Sequence, residues 1–218
     1  MNMTRRFLTL ATALVLATAC LTATAQGMTA AQIAALRADI LADPVLAAKP
    51  NNGDSHLEIA QLYNLAAVPT FMVWHPRAQV SAILDTFNLA AFTPVDTILE
   101  TDLDPAISRR VARLLMIQVK QMNLQIMLQG RDALDCTLPN VRAGLRDALI
   151  QVPAGVAGAN VAVAGASAAT ALTACLRQAT RAEKLFSSGS ATTGTTAGNL
   201  LVYVGGITPA QVAQALAN

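Results

Sequence analysis

Aromatic side chains are scarce in this 218-residue chain: Phe, Trp and Tyr together make up 4%, and Trp74 is the one tryptophan. The hydrophobic fraction of 54% rests heavily on alanine, which favours thin, closely packed helices over a sandwich of sheets. An excess of charge is missing as well. Without Arg5 and Arg6 the 15 basic residues fall to 13, equal to the 13 acidic ones. Nucleic-acid binding is driven by neutralising several phosphates and releasing their counterions, so a neutral chain is a poor candidate for it. Arg109, Arg110 and Arg113 form the one dense basic cluster; Asp102 and Asp104 precede it, and it reads as a solvated helix face.

Metal-ligating and nucleophilic patterns are also lacking. The two histidines, His56 and His75, have no CxxC, HExxH or carboxylate array near them and read as surface or cap residues. Asp and Glu positions single out no catalytic pair. Gly165-Ala166-Ser167-Ala168-Ala169 lacks the last glycine of a nucleophile elbow, and both histidines precede it, so Ser167 is expected to cap a helix. The stretch from Gly189 to Thr196 has the glycine spacing of a phosphate-binding loop, with Thr195 where the motif needs lysine. It follows a helical pattern and leads into an apolar run, the reverse of a phosphate loop, and reads as a linker. No catalytic, cofactor-binding or metal-binding residue is assigned. Trp74, between Pro69 and Pro76, is expected to anchor a core.

What is present begins with a leader. Arg5 and Arg6, the uncharged apolar stretch Phe7 to Leu21 and Ala23-Thr24-Ala25 before Gln26 have the layout of a secretory signal peptide. The stretch is short for a membrane span, which needs about 20 residues, so no stable span is expected. A lipoprotein reading through Cys20 and a twin-arginine reading are weaker. The competing reading starts the protein at Met28. The two readings differ for Cys136 and Cys175: in an exported protein they can pair, closing a loop worth about 3–4 kcal/mol, whereas in the cytosol they stay reduced and Cys175 belongs to the core.

From Thr29 onward the periodicity is helical. Thr29 with Gln32, and Ser55 with Glu58, read as capping boxes; Ile33, Leu36 and Ile40 lie on one stripe, as do Ile59, Leu62, Tyr63 and Ala66. Thr93-Pro94 and Asp104-Pro105 are helix starts. The second opens the longest element, expected over 105–129, with Ile107, Val111, Leu114, Leu115, Met122 and Ile126 as its buried stripe and Gly130 as its left-handed stop. Pro139 starts the next helix, residues 154–165 read as loop, and a further helix is expected to run through Cys175 to Phe186. Thr208-Pro209 with Gln211 caps a last one. The expected fold is mainly α, a bundle of about six to seven helices with a minor short strand near the C-terminus. Its divisions are a leader or upstream extension (1–27), a helical bundle (28–186), a flexible Gly/Ser/Thr connector (187–198) and a short strand with a terminal helix (199–218).

From Met28 the chain resembles a family of small proteins encoded by tailed bacteriophages and prophages of Gram-negative bacteria. The resemblance rests on "MTAAQIAALRADILADPVLAAKPNNGDSHLEIAQLYN", "VPTFMVW", "FTPVD", "KQMNLQIMLQGRDAL", "LPNVRAGLRDAL", "VPAG" and "ATRAEKLFSSGSATTGTTA", in that order, and on a glycine, turn and helix ending over Gly205 to Leu216. Glu100 to Val119 departs most from it. It implies a non-enzymatic virion or tail-region component, assembled in the host cytoplasm, whose partners are other virion or assembly proteins and copies of itself. It brings no catalytic residues. The family starts at the equivalent of Met28, which favours the later start. The alternative is an exported helical protein of the cell envelope, in the periplasm or secreted. In either case the candidate interaction surface is Leu200, Leu201, Val202, Tyr203 and Val204, expected to form an edge strand with apolar side chains on both faces. Deleting residues 199–218 is then expected to leave the helical body folded.

Overall fold

The computed structural model describes residues 27–88, 104–152, 163 and 167–217. The expected cap at Thr93-Pro94 and most of the expected loop at 154–165 lie outside them.

The N-terminal helices start as local chemistry dictates. Helix α1 (Ala30–Ala42) opens on a reciprocal box: Thr29 N–H donates to Gln32 Oε1 at 2.8 Å, and Gln32 N–H to Thr29 Oγ1 at 3.2 Å. Asp43 caps the short α2 (Pro44–Ala47). Helix α3 (Gly53–Asn64) is capped by Asn52, whose Oδ1 accepts from Ser55 N–H at 3.0 Å, so the cap lies three residues ahead of the expected Ser55 box. The chain then forms β1 (Met72–Trp74), β2 (Ala78–Gln79) and α4 (Val80–Leu84). The long α5 (Asp104–Leu128) follows, and Gly130, at φ 69°, has the left-handed conformation that ends helices. After it come β3 (Ala133–Leu134), α6 (Pro139–Leu149) and α7 (Ala168–Thr173). Ser167 caps α7 through Thr170 N–H.

The last third differs from expectation. The helix expected to run to Phe186 breaks after Thr173 and gives way to β4 (Leu176–Gln178) and a short α8 (Arg181–Leu185). The stretch expected to be a flexible connector is a hairpin of β5 (Ser187–Thr193) and β6 (Thr196–Leu201), followed by α9 (Pro209–Ala217). Thr193 pairs with Thr196, which leaves a two-residue turn in which Gly194 has φ 61°, and Gly189, at φ 116°, sits where the register shifts between Ser187 and Ser190.

These strands make a mixed four-stranded sheet in the order β4-β1-β6-β5. β1 pairs antiparallel with β4 and parallel with β6, β5 and β6 are antiparallel, and β2 and β3 form a separate two-stranded ribbon. The fold is therefore an α/β mixture, and the expected mainly-α bundle is wrong. The sheet was hidden because its strands are short or polar: Ser, Thr and Gly dominate β5, and these residues also make linkers.

The buried apolar side chains form two cores. One gathers Trp74, Ile83, Ile117, Leu145, Leu149 and Leu172 under α4 to α7. The other gathers Leu36, Ile59, Tyr63, Phe186, Tyr203 and Val212, so it ties α1 and α3 to α8 and α9.

Candidate functional site

The C-terminal stretch is not the edge that its sequence suggests. β6 lies between β1 and β5, inside the sheet, and ends at Leu201. Leu200 is half-buried against the first core and Leu201 is half-buried as well. Tyr203 is buried, packs edge-on against Phe186 with ring centroids 5.4 Å apart, and donates its hydroxyl hydrogen to Gly206 O at 2.9 Å. Only Val202 and Val204 of the five are exposed, and both lie beyond the strand. The edges of the sheet are β4 and β5. An alternating apolar run signals a strand without saying whether its neighbours on both sides are already taken.

The polar clusters close on themselves. Arg181 spans Asp39 and Asp43, 3.2 Å from each, and its guanidinium lies 4.6 Å over the ring of Tyr63. The Tyr63 hydroxyl donates to Asp39. Burial first and the Asp39 carboxylate second push its ionisation well above the ordinary phenol range. A groove of about 510 Å³ opens beside this cluster, lined by Leu62, Leu65, Val68 and Lys184 among others. Its one carboxylate, Asp39, is already engaged by Arg181 and the Tyr63 hydroxyl, and Lys184 reaches the Val68 carbonyl at 3.5 Å. What the cluster does is join α1, α3 and α8.

The other residues singled out in the sequence take structural places. His56 Nε2 meets Asn51 Oδ1 at 2.6 Å in the loop before α3. The backbone of His75 lies between the two cysteines, with its N–H on Cys175 O at 2.8 Å and its carbonyl accepting from Cys136 N–H at 3.0 Å. Its ring accepts from Arg77 N–H at 2.9 Å, and burial, then Arg177, lowers its affinity for a proton. Cys136 and Cys175 are free thiols, fully buried beside each other in the first core. The neighbouring Cys175 thiol, then burial, drives the Cys136 thiol above the ordinary range. Trp74 is fully buried, with Nε1 donating to Ala191 O at 3.0 Å. Ser167 is held as a cap, and Gly194-Thr195 is the hairpin turn. Among the described residues no group of three or more His, Cys, Asp or Glu side chains converges as a metal site would require.

The exposed surface that demands an explanation is on α5. Val111, Leu115, Met116, Val119, Met122 and Ile126 are between 49% and 64% exposed, while Ile117, Leu124 and Leu128 point into the first core. This reverses the expectation for Val111, Leu115, Met122 and Ile126; Leu114 is half-buried, and the side chain of Ile107 lies outside the described residues. The helix is apolar on two opposite faces. Hydrophobic spacing alone favoured the longer stripe, whereas packing against α6 and the first core selected the shorter one. Contiguous apolar surface of this kind marks interaction sites in folded proteins.

No family model matches this chain, and neither does any curated protein or solved structure at a significant level. Among the described residues no helix is long and apolar enough to cross a membrane.

Proposed function

We propose that this protein is a non-enzymatic structural or assembly component of a tailed bacteriophage, of the tail or head-tail region, acting through its surfaces. The observation that carries the mode of action is the apolar outer face of α5, which stands exposed while the polar clusters of the molecule are engaged internally. The phage assignment itself is supported by the order and spacing of the sequence blocks from Met28 to Leu216. Its test is the protein composition of particles purified from an induced host. This chain is expected among the particle proteins or in an assembly intermediate; a protein found in neither is not a virion or assembly component.

A second reading is favoured by one specific feature, the basic, apolar and A-x-A segments of residues 5–25, and makes the protein an exported component of the cell envelope. Cell fractionation separates the two, since periplasmic recovery of a chain beginning at Gln26 belongs to the second alone.

A further inference from the structure

We propose that the outer face of α5 is the seam along which a second copy of this chain docks, helix against helix. The proposal rests on the reading that the protein acts through its surfaces, and it names the partner for that surface.

Spacing is the first reason. Leu115, Val119, Met122 and Ile126 follow one another at offsets of four, three and four residues, the heptad alternation that keeps an apolar seam on one side of a helix. Such a seam is a narrow strip, and the surface most complementary to it is a like strip on another helix. Rotation cannot hide it, because Ile117 and Leu124 hold the opposite side of α5 in the core.

Charge is the second reason. Between Leu115 and Ile126 the one charged residue is Lys120, and its ammonium donates to the Asp147 carbonyl of α6. Gln118, Asn123 and Gln125 flank the strip as exposed, neutral amides. Two copies can therefore approach antiparallel, with Arg109, Arg110 and Arg113 of each helix at opposite ends and no like-charge repulsion from Leu115 to Ile126, and the amides can hydrogen-bond across the seam. Anionic lipid is the competing occupant, since interfacial helices hold it with lysine and arginine beside the apolar face. From Leu115 to Ile126 the one such residue is Lys120, already held by the Asp147 carbonyl, and the arginines of α5 lie before the seam at Arg109, Arg110 and Arg113.

Area is the third. Six apolar side chains about half exposed leave on the order of 500 Å² per copy, approaching the ~800 Å² per partner of a standard interface, with the amide flanks adding to it.

The test is the sedimentation of the full chain at micromolar concentration, beside Val119→Glu with Met122→Glu, which places four carboxylates in the seam of a pair. The unchanged chain should sediment at twice the chain mass and the variant at the chain mass, with equal helicity. Val119→Gln with Met122→Gln repeats the comparison without charge, should the glutamates unfold the protein. In the unchanged chain, Met122 should also oxidise more slowly with hydrogen peroxide in concentrated solution than after dilution. A monomeric unchanged chain, a dimer that survives both variants, a Met122 oxidation rate independent of concentration, or loss of helicity in both variants would each overturn the seam. Binding of a monomer to vesicles of anionic phospholipid would overturn it in favour of a membrane. A chain that is monomeric when purified yet present in particles removes the self-docking seam and leaves the phage assignment standing. A dimer missing from particles and assembly intermediates does the reverse.

Discussion

The guanidinium of Arg142 lies over the face of Trp74, 4.8 Å from the ring centroid, in the interior of the first core. Among the described residues no carboxylate forms an ion pair with it; Nη1 donates to the carbonyls of Cys136 and Thr137 at 2.8 and 2.7 Å, and Nε to Thr193 Oγ1 at 3.1 Å. A buried cation is tolerable here because carbonyl dipoles and the ring face replace its water. It also ties α6 to the hairpin and to the segment after β3. Arg142→Met should leave both carbonyls without their donor and cost about 2–4 kcal/mol, and Arg142→Lys should recover little, since one ammonium cannot reproduce the planar fork. Urea denaturation monitored at Trp74 measures this; an unchanged midpoint for the methionine variant would show that the cation is dispensable.

Gly198 should be nearly irreplaceable. A Cβ at this position in β6 would stand 2.5 Å from Leu176 Cδ2 and 3.0 Å from Cε2 and Nε1 of Trp74. The leucine methyl can rotate away, but the buried indole, pinned by Ala191, cannot. Gly198→Ala is expected to cost about 1–3 kcal/mol by overpacking. Thermal unfolding and the Trp74 emission maximum should both move; if neither does, the sheet is looser than described.

Acid should weaken the protein through Glu183. Burial alone would raise its carboxyl, but the Arg177 fork at 2.8 and 2.6 Å and the Thr180 N–H at 3.0 Å outweigh burial and hold it below the ordinary 4.5. A carboxyl depressed in the folded state contributes stability above its unfolded value, and that contribution is lost as pH falls through the lower folded value. Denaturation midpoints should therefore fall below pH 4.5 in the native chain and change less in Glu183→Gln. Equal slopes in both proteins would assign the acid sensitivity elsewhere.

Removing residues 199–218 should unfold the protein. β6 is an interior strand, and Tyr203, Ile207, Val212 and Ala215 belong to the second core together with α1 and α3. The sequence alone suggested a detachable appendage. The expected result is now loss of the cooperative transition and of much of the circular dichroism, and a truncated chain with native helicity would restore the appendage.

Thiol chemistry separates the two proposed settings. Cys136 and Cys175 are inaccessible in the folded protein, so a bulky thiol reagent should label neither until denaturant is added. A cytosolically assembled phage protein should then yield both as free thiols, with an intact mass beginning at Met28 or Thr29. A complete disulfide, or a chain beginning at Gln26, would instead support export.

Where structure depends on neighbours in the chain, the sequence was decisive. The Thr29–Gln32 box, the Thr208–Gln211 box, the Ser167 cap and the left-handed Gly130 were all legible, because each links groups only a few residues apart. The buried stripe of α1 was legible for the same reason. The sheet was not: β1 meets β6 at Val73 and Asn199, and backbone hydrogen bonds across such a separation leave little mark on side-chain pattern. The hairpin had a weak signature in its threonines and the Gly194-Thr195 pair, which polarity made resemble a linker. On α5 the sequence supplied two apolar faces, and only packing decided which was buried and which was left exposed. Periodicity states that a face is apolar; which surface covers it is settled by the rest of the fold.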